Sequence, residues 1–210
     1  MKRHEIYFYT LLIAVLNIPL ITGSVPKTMI FSTHAIADGQ LWRIFTHPFV
    51  HVSWYHLLLD GAAFFLLYMQ LAEESLRKRT LYVVGCGVSS LLAVLMVLPR
   101  LDSVGYCGLS GIGHGLMAVC ALEMMRNVSS NKSVQRFGGL CLVLLIGKCI
   151  FEAFTGKMFF NFVHSDLIGS PVAMSHVGGV LGGCIMYGLL QNNLRIPANL
   201  SSVKKQVCWN

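Results

Sequence analysis

Ser110 and His176 are the residues whose types and spacing point most directly to chemistry. Ser110 stands in a Gly-x-Ser-Gly string at residues 108–111, and His176 is followed at helical spacing by Gly179 and Gly183. A serine hydroxyl is a poor nucleophile until a base within about 2.6–3.2 Å takes its proton, and histidine is the usual base. The sequence therefore indicates a candidate nucleophile at Ser110 and a candidate general base at His176.

The glycines near these two residues suit such a site geometrically. Gly108 and Gly111 would let the backbone approach a substrate closely, and the amides of a helix that begins at Ser110 would point toward developing negative charge. Gly179 and Gly183 form one stripe of a helix, and small residues at this spacing permit close helix packing in a membrane. If this stripe faces Gly111, the candidate base can reach the candidate nucleophile.

The elements that must position these residues are membrane helices. The chain has 210 residues, of which 55% are hydrophobic and only 12% are charged, against about 25% charged in soluble domains. A membrane-spanning helix needs about 20 apolar residues, and six runs approach this length: 6–22, 54–72, 81–98, 110–125, 137–154 and 173–190. We predict an all-α polytopic membrane protein, with one six-helix catalytic domain at residues 1–195 and a short cytoplasmic tail at 196–210.

The distribution of basic residues predicts the orientation of this bundle. With the N-terminus inside, the cytoplasmic segments would carry eleven lysines and arginines and the outer segments four, while Lys148 lies within the fifth run. The inner set is Lys2, Arg3, Arg77, Lys78, Arg79, Arg126, Lys132, Arg136, Arg195, Lys204 and Lys205, and the outer set is Lys27, Arg43, Arg100 and Lys157. The positive-inside rule then puts both termini in the cytoplasm. A nucleic-acid partner is not expected, because the net charge of +7 is not gathered on one face or tract.

Four polar residues are predicted to share one depth in this bundle. At the rise of an α-helix, Ser110 and His176 lie about 24 Å and 22 Å above the cytoplasmic ends of their runs, and His56 and Asp60 lie about 25 Å and 20 Å above the end of theirs. For any one of them alone, a helix-packing hydrogen bond is the simpler explanation. Their convergence below the outer surface favours a functional site, because ionisable groups in a membrane are costly.

The order and spacing of these motifs resemble the signature set of the rhomboid family of intramembrane serine proteases. The matching residues are Trp42, Arg43, His51, His56, the Gly-x-Ser-Gly string around Ser110, His176, Gly179 and Gly183. The resemblance implies a six-helix core and a Ser110–His176 dyad with no acidic third member. It also implies an oxyanion hole shared by the Ser110 amide and side chains near His56, with water entering from the non-cytoplasmic side.

Two residues depart from the commoner pattern of that family. Asp60 stands where an asparagine that donates to the oxyanion is usual, and His114 stands where a tyrosine packs on the catalytic histidine. Asp60 either is protonated and donates or orients His56, and we favour the second role. His114 lies one helical turn after Ser110, so it either stacks on His176 or competes with it as base, and we favour His176 as the base.

Residues 57–60 and 109–115 are similar to those of a rhomboid subgroup, the rhombosortases. That resemblance implies an enzyme of the bacterial inner membrane that cleaves the C-terminal sorting tails of exported proteins. Its partners would be membrane lipids and these substrates, each of which crosses the membrane once. The alternative is a catalytically silent relative that binds transmembrane helices, and Asp60 keeps this alternative open.

Other polar residues have simpler explanations. His47, His51 and His56 could form a metal cluster, but Pro48 interrupts their spacing and no cysteine or carboxylate stands at ligand spacing, so we expect no metal and no other cofactor.

Four further residues have structural explanations. Lys148 and Glu152 are four residues apart, which favours an ion pair over a serine–lysine dyad. Cys107 is interpreted as packing. Arg43 is expected to hold the apolar loop 23–52 by donating to backbone carbonyls.

Overall fold

The computed structural model describes residues 2–98, 105–126, 131–157, 159 and 172–192. In these ranges the chain forms eight α-helices, two short 3-10 turns and one isolated backbone bridge between Phe31 and Tyr106. The α-helices are α1 Arg3–Leu16, α2 Thr33–Ala37, α3 Arg43–Thr46, α4 Trp54–Gln70, α5 Leu76–Val97, α6 Ser110–Arg126, α7 Lys132–Thr155 and α8 Ala173–Asn192.

The six long helices, α1 and α4 to α8, fall on the six apolar runs of the sequence. Within the described ranges, three segments are long and apolar enough to cross a membrane: Leu76–Val97, Lys132–Thr155 and Ala173–Gln191. A fourth crossing exists if Arg43–Phe49 and Trp54–Gln70, which meet at a bend of 91°, count as one broken span. The chain is therefore an all-helical, multi-pass membrane protein, while the number of six spans and the cytoplasmic termini stay predictions. The predicted tail at 196–210 lies outside the described residues.

The first predicted span is shorter than its apolar run. Helix α1 ends at Leu16, and the chain continues as a 3-10 turn, Ile18–Thr22, with Pro19 near its start. Proline supplies no amide to continue the α-helical hydrogen bonds. Asn17 fills the break, because its side-chain amide donates to the carbonyls of Ile13 (2.8 Å) and Phe49 (2.7 Å).

The loop between α1 and α4 is held by side-chain donors. Arg43 donates from its guanidinium to the carbonyls of Lys27 (2.7 Å) and Ile30 (2.6 Å), which confirms the role expected for it. The indole of Trp42 donates to the carbonyl of Thr28 at 3.2 Å. The backbone amide of His51 donates to the Asn17 side chain at 2.8 Å, so the segment that leads into α4 is fixed to the end of α1.

A buried ion pair ties together the opposite end of α4 and the start of α5. Arg79 is only 1% exposed and pairs with Glu5 of α1 through both a 2.8 Å hydrogen bond from its Nε and a shorter contact from Nη2. The hydroxyl of Tyr68 also donates to Glu5. Because a buried charge is tolerated when it is paired and hydrogen-bonded, these contacts join α1, α4 and α5 without polar groups facing lipid.

Helix α8 packs against α5 and α6, and glycine makes the contact with α6 close. A Cβ atom placed on Gly179 would overlap the carbonyl oxygen of Gly111, and one on Gly183 would overlap that of Gly115. Larger residues would therefore push the helices apart. The stripe of small residues on α8 does face the glycine-rich start of α6, and this contact determines how closely the side chains of the two helices approach each other.

Candidate active site

Ser110 is the first residue of α6, and the segment before it is held in place on both sides. Phe31 and Tyr106 exchange backbone hydrogen bonds of 3.0 Å, and the amide of Gly108 donates to the carbonyl of His47 at 3.1 Å. Gly108 has a φ of +107°, a backbone conformation that a residue with a side chain rarely adopts. Glycine is thus required at the turn that aims α6 and places Ser110 at its N-terminus.

His176 lies across the helix crossing from Ser110. It is 5% exposed, and its ring stacks on that of His114 with centroids 3.8 Å apart and planes inclined by 13°. His114 Nδ1 lies 2.8 Å from the carbonyl oxygen of Ser110. Among the described residues no hydrogen bond joins the Ser110 hydroxyl to His176, but both residues contact the His114 ring, which brings them near each other on adjoining helices.

Glu152 of α7 is hydrogen-bonded to His176. Its Oε2 lies 2.8 Å from His176 Nδ1, and the carboxylate is fully buried. Because a carboxylate can only accept, Nδ1 carries the proton and Nε2 keeps its lone pair. The expectation of a histidine with no acidic partner is therefore wrong for this chain. Glu152 was visible in the sequence as an ionisable residue in a span, but the spacing related it to Lys148 and not to a histidine 24 residues later.

Lys148 forms the ion pair that its spacing predicts and one further contact. Its Nζ lies 2.8 Å from Glu152 Oε1 and 2.9 Å from His114 Nε2. An ammonium group only donates, so His114 Nε2 accepts and His114 Nδ1 carries the proton that it gives to the Ser110 carbonyl. Both nitrogens of His114 are thus engaged, and its lone pair is used by Lys148. We call His114, Lys148, Glu152 and His176 the lysine-paired cluster.

A second cluster lies against Gly108. Asp60 Oδ2 is 3.2 Å from His56 Nε2 and 3.5 Å from His51 Nε2. His51 is fully buried and His56 is 7% exposed. A Cβ atom on Gly108 would lie 2.9 Å from both Asp60 Oδ2 and His56 Nε2, so only glycine leaves room for these side chains. We call His51, His56 and Asp60 the lysine-free cluster.

The lysine-free cluster bears on the question of a metal ion. One ligand atom from each of its three residues lies within 4.8 Å of the others. The sequence argument that no carboxylate stands at ligand spacing is therefore wrong, because one helical turn of α4 brings Asp60 to His56. His47 is not part of the group, since its Nδ1 lies 3.0 Å from the Arg43 carbonyl and its ring packs on Phe31 and Tyr106.

Cys107, three residues before Ser110, is a poor candidate for an alternative nucleophile. Burial raises the pKa of its thiol to about 12, so the thiol stays protonated at neutral pH. A thiol reacts as its thiolate. Cys107 therefore serves packing in the segment that precedes α6.

The site combines a serine at a helix N-terminus with a buried histidine on the adjoining helix that is bound to a carboxylate. A family model described as Rhomboid domain matches residues 38–193, which is 156 of the 210 residues. The chain therefore belongs to the rhomboid family, a family of intramembrane serine proteases that act on transmembrane substrates and that includes inactive members. No curated protein matches the chain significantly.

Proposed function

We propose that this protein is an intramembrane serine endopeptidase in which Ser110 is the nucleophile and His176 the general base. The observation that carries the proposal is the 2.8 Å contact between His176 Nδ1 and Glu152, beside the helix N-terminus that holds Ser110. This contact fixes the tautomer in which Nε2 can accept a proton. A histidine that only served helix packing would not need a fully buried carboxylate to orient it.

The first chemical step is acylation of Ser110. The hydroxyl oxygen attacks the scissile carbonyl while His176 Nε2 takes its proton, and the resulting imidazolium then gives that proton to the leaving amine. Glu152 stabilises the imidazolium through the Nδ1 hydrogen bond. Lys148 limits this effect, because it already neutralises part of the carboxylate charge. Formation of the Ser110–His176 hydrogen bond accompanies substrate binding, since catalytic hydrogen bonds often tighten only in the complex.

The second step is hydrolysis of the acyl-enzyme by water that His176 activates in the same way. The negative charge that develops on the substrate oxygen in both steps faces the N-terminus of α6, where the Ser110 amide lies. His56 borders this position through Gly108, and Asp60 Oδ2 lies 3.2 Å from the His56 Nε2 atom. An ionised Asp60 opposes an oxyanion electrostatically, so its charge lowers the rate unless a donor or cation offsets it.

The substrates we infer are single-pass transmembrane proteins cleaved near their outer ends. A helix offers no free backbone to a nucleophile, so the substrate unwinds locally, which favours small or helix-breaking residues at the scissile bond. The rhombosortase resemblance narrows this to C-terminal sorting tails of exported proteins in a bacterial inner membrane. No cofactor enters the proposed reaction.

A serine-directed fluorophosphonate tests the proposal directly in purified, detergent-solubilised protein. Labelling should occur at Ser110 in the native chain and disappear in both Ser110→Ala and His176→Ala. The matched control is His34→Ala, an exposed histidine of α2, which should label like the native chain. Co-expression with a candidate substrate that bears a sorting tail, followed by mass spectrometry of the product termini, should show cuts near the outer end. Cuts near the cytoplasmic end would contradict the proposal.

The second candidate is a silent family member that binds transmembrane helices. Two observations favour it: the carboxylate of Asp60 beside Gly108, and a structure in which no described hydrogen bond activates Ser110. The fluorophosphonate experiment separates the two functions. Persistent absence of labelling, together with capture of a transmembrane helix by the same purified protein, would establish the binder and exclude the protease.

A further inference from the structure

The contacts of the lysine-free cluster are poor as hydrogen bonds. The Asp60 Oδ2 atom and both ring nitrogens of His51 are buried and have no hydrogen-bond partner among the described residues, and the same holds for His56 Nδ1. Yet Asp60 Oδ2 lies 3.2 Å and 3.5 Å from the two Nε2 atoms. Asp60 Oδ2 and the Nε2 atoms of the two histidines thus lie close together without forming a well-aligned hydrogen bond. This is unusual, because buried polar groups are nearly always hydrogen-bonded.

The same distances suit three ligands around one small cation. Two ligands of a tetrahedral zinc ion, each about 2.0–2.1 Å from the metal, lie about 3.3 Å apart. The two separations from Asp60 Oδ2, 3.2 Å and 3.5 Å, bracket this value, and all three ligand atoms lie within 4.8 Å of one another. Two imidazoles and one carboxylate are also a donor set that zinc accepts, leaving a fourth position open.

The charge of Asp60 points in the same direction. The Asp60 Oδ2 atom is buried, and a buried charge is costly unless it is paired. No lysine or arginine of the described chain lies within ion-pair distance of Asp60, whose ion-pair contacts are the two histidines. In the lysine-paired cluster, by contrast, Lys148 occupies the position of the cation. A divalent ion between His51, His56 and Asp60 would provide the missing positive charge.

We propose that His51, His56 and Asp60 form a binding site for a divalent transition metal of the zinc class. The site contacts Gly108, two residues before Ser110, so a bound ion would replace the negative field of Asp60 there by a positive one. The metal site requires only these three side chains and does not depend on Ser110 acting as a nucleophile. The metal site can therefore be tested in the Ser110→Ala variant, which lacks the proposed nucleophile.

Cobalt(II) binding to the full-length Ser110→Ala protein tests the proposal, with the protein purified in detergent without a histidine tag and stripped with a chelator. Cobalt(II) bound by four nitrogen and oxygen ligands gives strong visible d–d absorption. Added zinc displaces the cobalt, so the absorption is lost. We expect one cobalt per chain, displacement by one equivalent of zinc, and a higher unfolding temperature in the presence of zinc, as for any ligand that binds only the folded state.

Variants assign the ligands. In the Ser110→Ala background, His51→Gln, His56→Gln and Asp60→Asn should each weaken zinc binding by about 100-fold or more, because each removes one of three protein ligands. The matched control removes an exposed pair with the same residue types and spacing, His34 and Asp38, whose Nδ1 and Oδ2 atoms lie 2.9 Å apart. His34→Gln with Asp38→Asn should leave the cobalt spectrum unchanged.

The results separate this proposal from the protease. Absence of visible cobalt bands in a folded Ser110→Ala protein would overturn the metal site and leave the protease proposal untouched. Bands that survive Asp60→Asn and His51→Gln together would also overturn it, because the metal would then lie elsewhere. The unfolding temperature of each variant without metal shows whether it is folded, and the zinc-induced shift of the parent protein gives a readout that needs no variant.

Discussion

The two histidine clusters near the start of α6 each contain two histidines and one carboxylate, and only one of them also contains a lysine. In the lysine-paired cluster, a buried carboxylate accepts from His176 and from Lys148, and His114 accepts from the same lysine. In the lysine-free cluster, Asp60 meets two histidines at longer distances and no described cation. In the first cluster the carboxylate, the lysine and both nitrogens of His114 have partners, and His176 Nε2 keeps its lone pair, whereas the second leaves several polar atoms without partners among the described residues.

The difference separates two uses of a buried carboxylate. Where a lysine neutralises the carboxylate, the remaining oxygen lone pairs can hold one histidine in one tautomer, which is what proton transfer requires. Where no lysine is present, the carboxylate oxygen and the histidine nitrogens remain available as ligands of a cation. Two clusters of similar composition near the start of α6 can thus support proton transfer in one case and cation binding in the other.

The largest expected effect concerns His176. Changing it to alanine should lower the rate of substrate cleavage by about 10³-fold or more, because Ser110 loses its base. Cleavage of a sorting-tail substrate in detergent or vesicles measures this. Zinc binding to the lysine-free cluster should persist in the same variant, since its ligands come from other elements. Normal cleavage by a folded His176→Ala protein would show that the lysine-paired cluster does not supply the general base.

Glu152→Gln should have the next largest effect, a loss of about 10²-fold in the cleavage rate. The amide cannot stabilise the imidazolium as a carboxylate does, and it can hold His176 in the wrong tautomer. The double variant Lys148→Met with Glu152→Gln separates rate from folding, because it also removes the lysine charge that the single variant leaves unpaired. It should recover thermal stability but not rate. Recovery of the rate would show that Glu152 only holds the helices together.

Gly179→Ala should disturb the lysine-paired cluster without touching the other. Its Cβ would overlap the Gly111 carbonyl, which forces α6 and α8 apart at a cost of about 2 kcal/mol and should lower the cleavage rate by about tenfold. Gly188→Ala on the same helix is the matched control, because its Cβ meets no atom within 4 Å. It should leave both unfolding and cleavage near the native values. Equal effects of the two variants would contradict the close contact.

Asp60→Asn should have the smallest effect on rate and an effect of opposite sign. In chelator-treated protein, removal of a negative charge beside the oxyanion position should raise the fluorophosphonate labelling rate about fivefold, or about 1 kcal/mol. Rates measured with and without added zinc sharpen the comparison, because the native protein should respond to zinc and the variant should not. A fall in rate in the metal-free variant would mean that Asp60 acts by orienting His56.

The sequence predicted the positions of the long helices well and their ends less well. Runs of apolar residues located α4, α6 and α8 to within about two residues. Helix α5, however, begins at Leu76, five residues before its apolar run, because Arg79 is paired with Glu5 and does not end the helix. Such a pair joins residues 74 positions apart, which hydropathy along one segment cannot reveal.

The sequence predicted only those parts of the candidate site that depend on local spacing. Local spacing indicated the Lys148–Glu152 pair and the glycine stripe of α8, since both follow from helical periodicity, whereas the stacking of His114 on His176 was one of two roles suggested by the family resemblance. The bond between Glu152 and His176, and the approach of His51 to Asp60, depend on how separate elements meet. Both were missed because polar residues in different helices have no fixed spacing in the sequence.

The length of α4 affects how a substrate would lie beside the protein. Helix α4 has 17 residues, about 25 Å, and it exposes Leu58 and Leu66 where lipid chains would contact them. The hydrocarbon layer is about 30 Å thick, so if α4 crosses it alone, as the six-span prediction requires, the lipid next to α4 must thin, at a cost of a fraction of a kcal/mol per Å. A single-pass helix of ordinary length that enters this thinned annulus would have its outer turns lifted into the headgroup layer. There water can replace the helical hydrogen bonds of the substrate before any bond is cut.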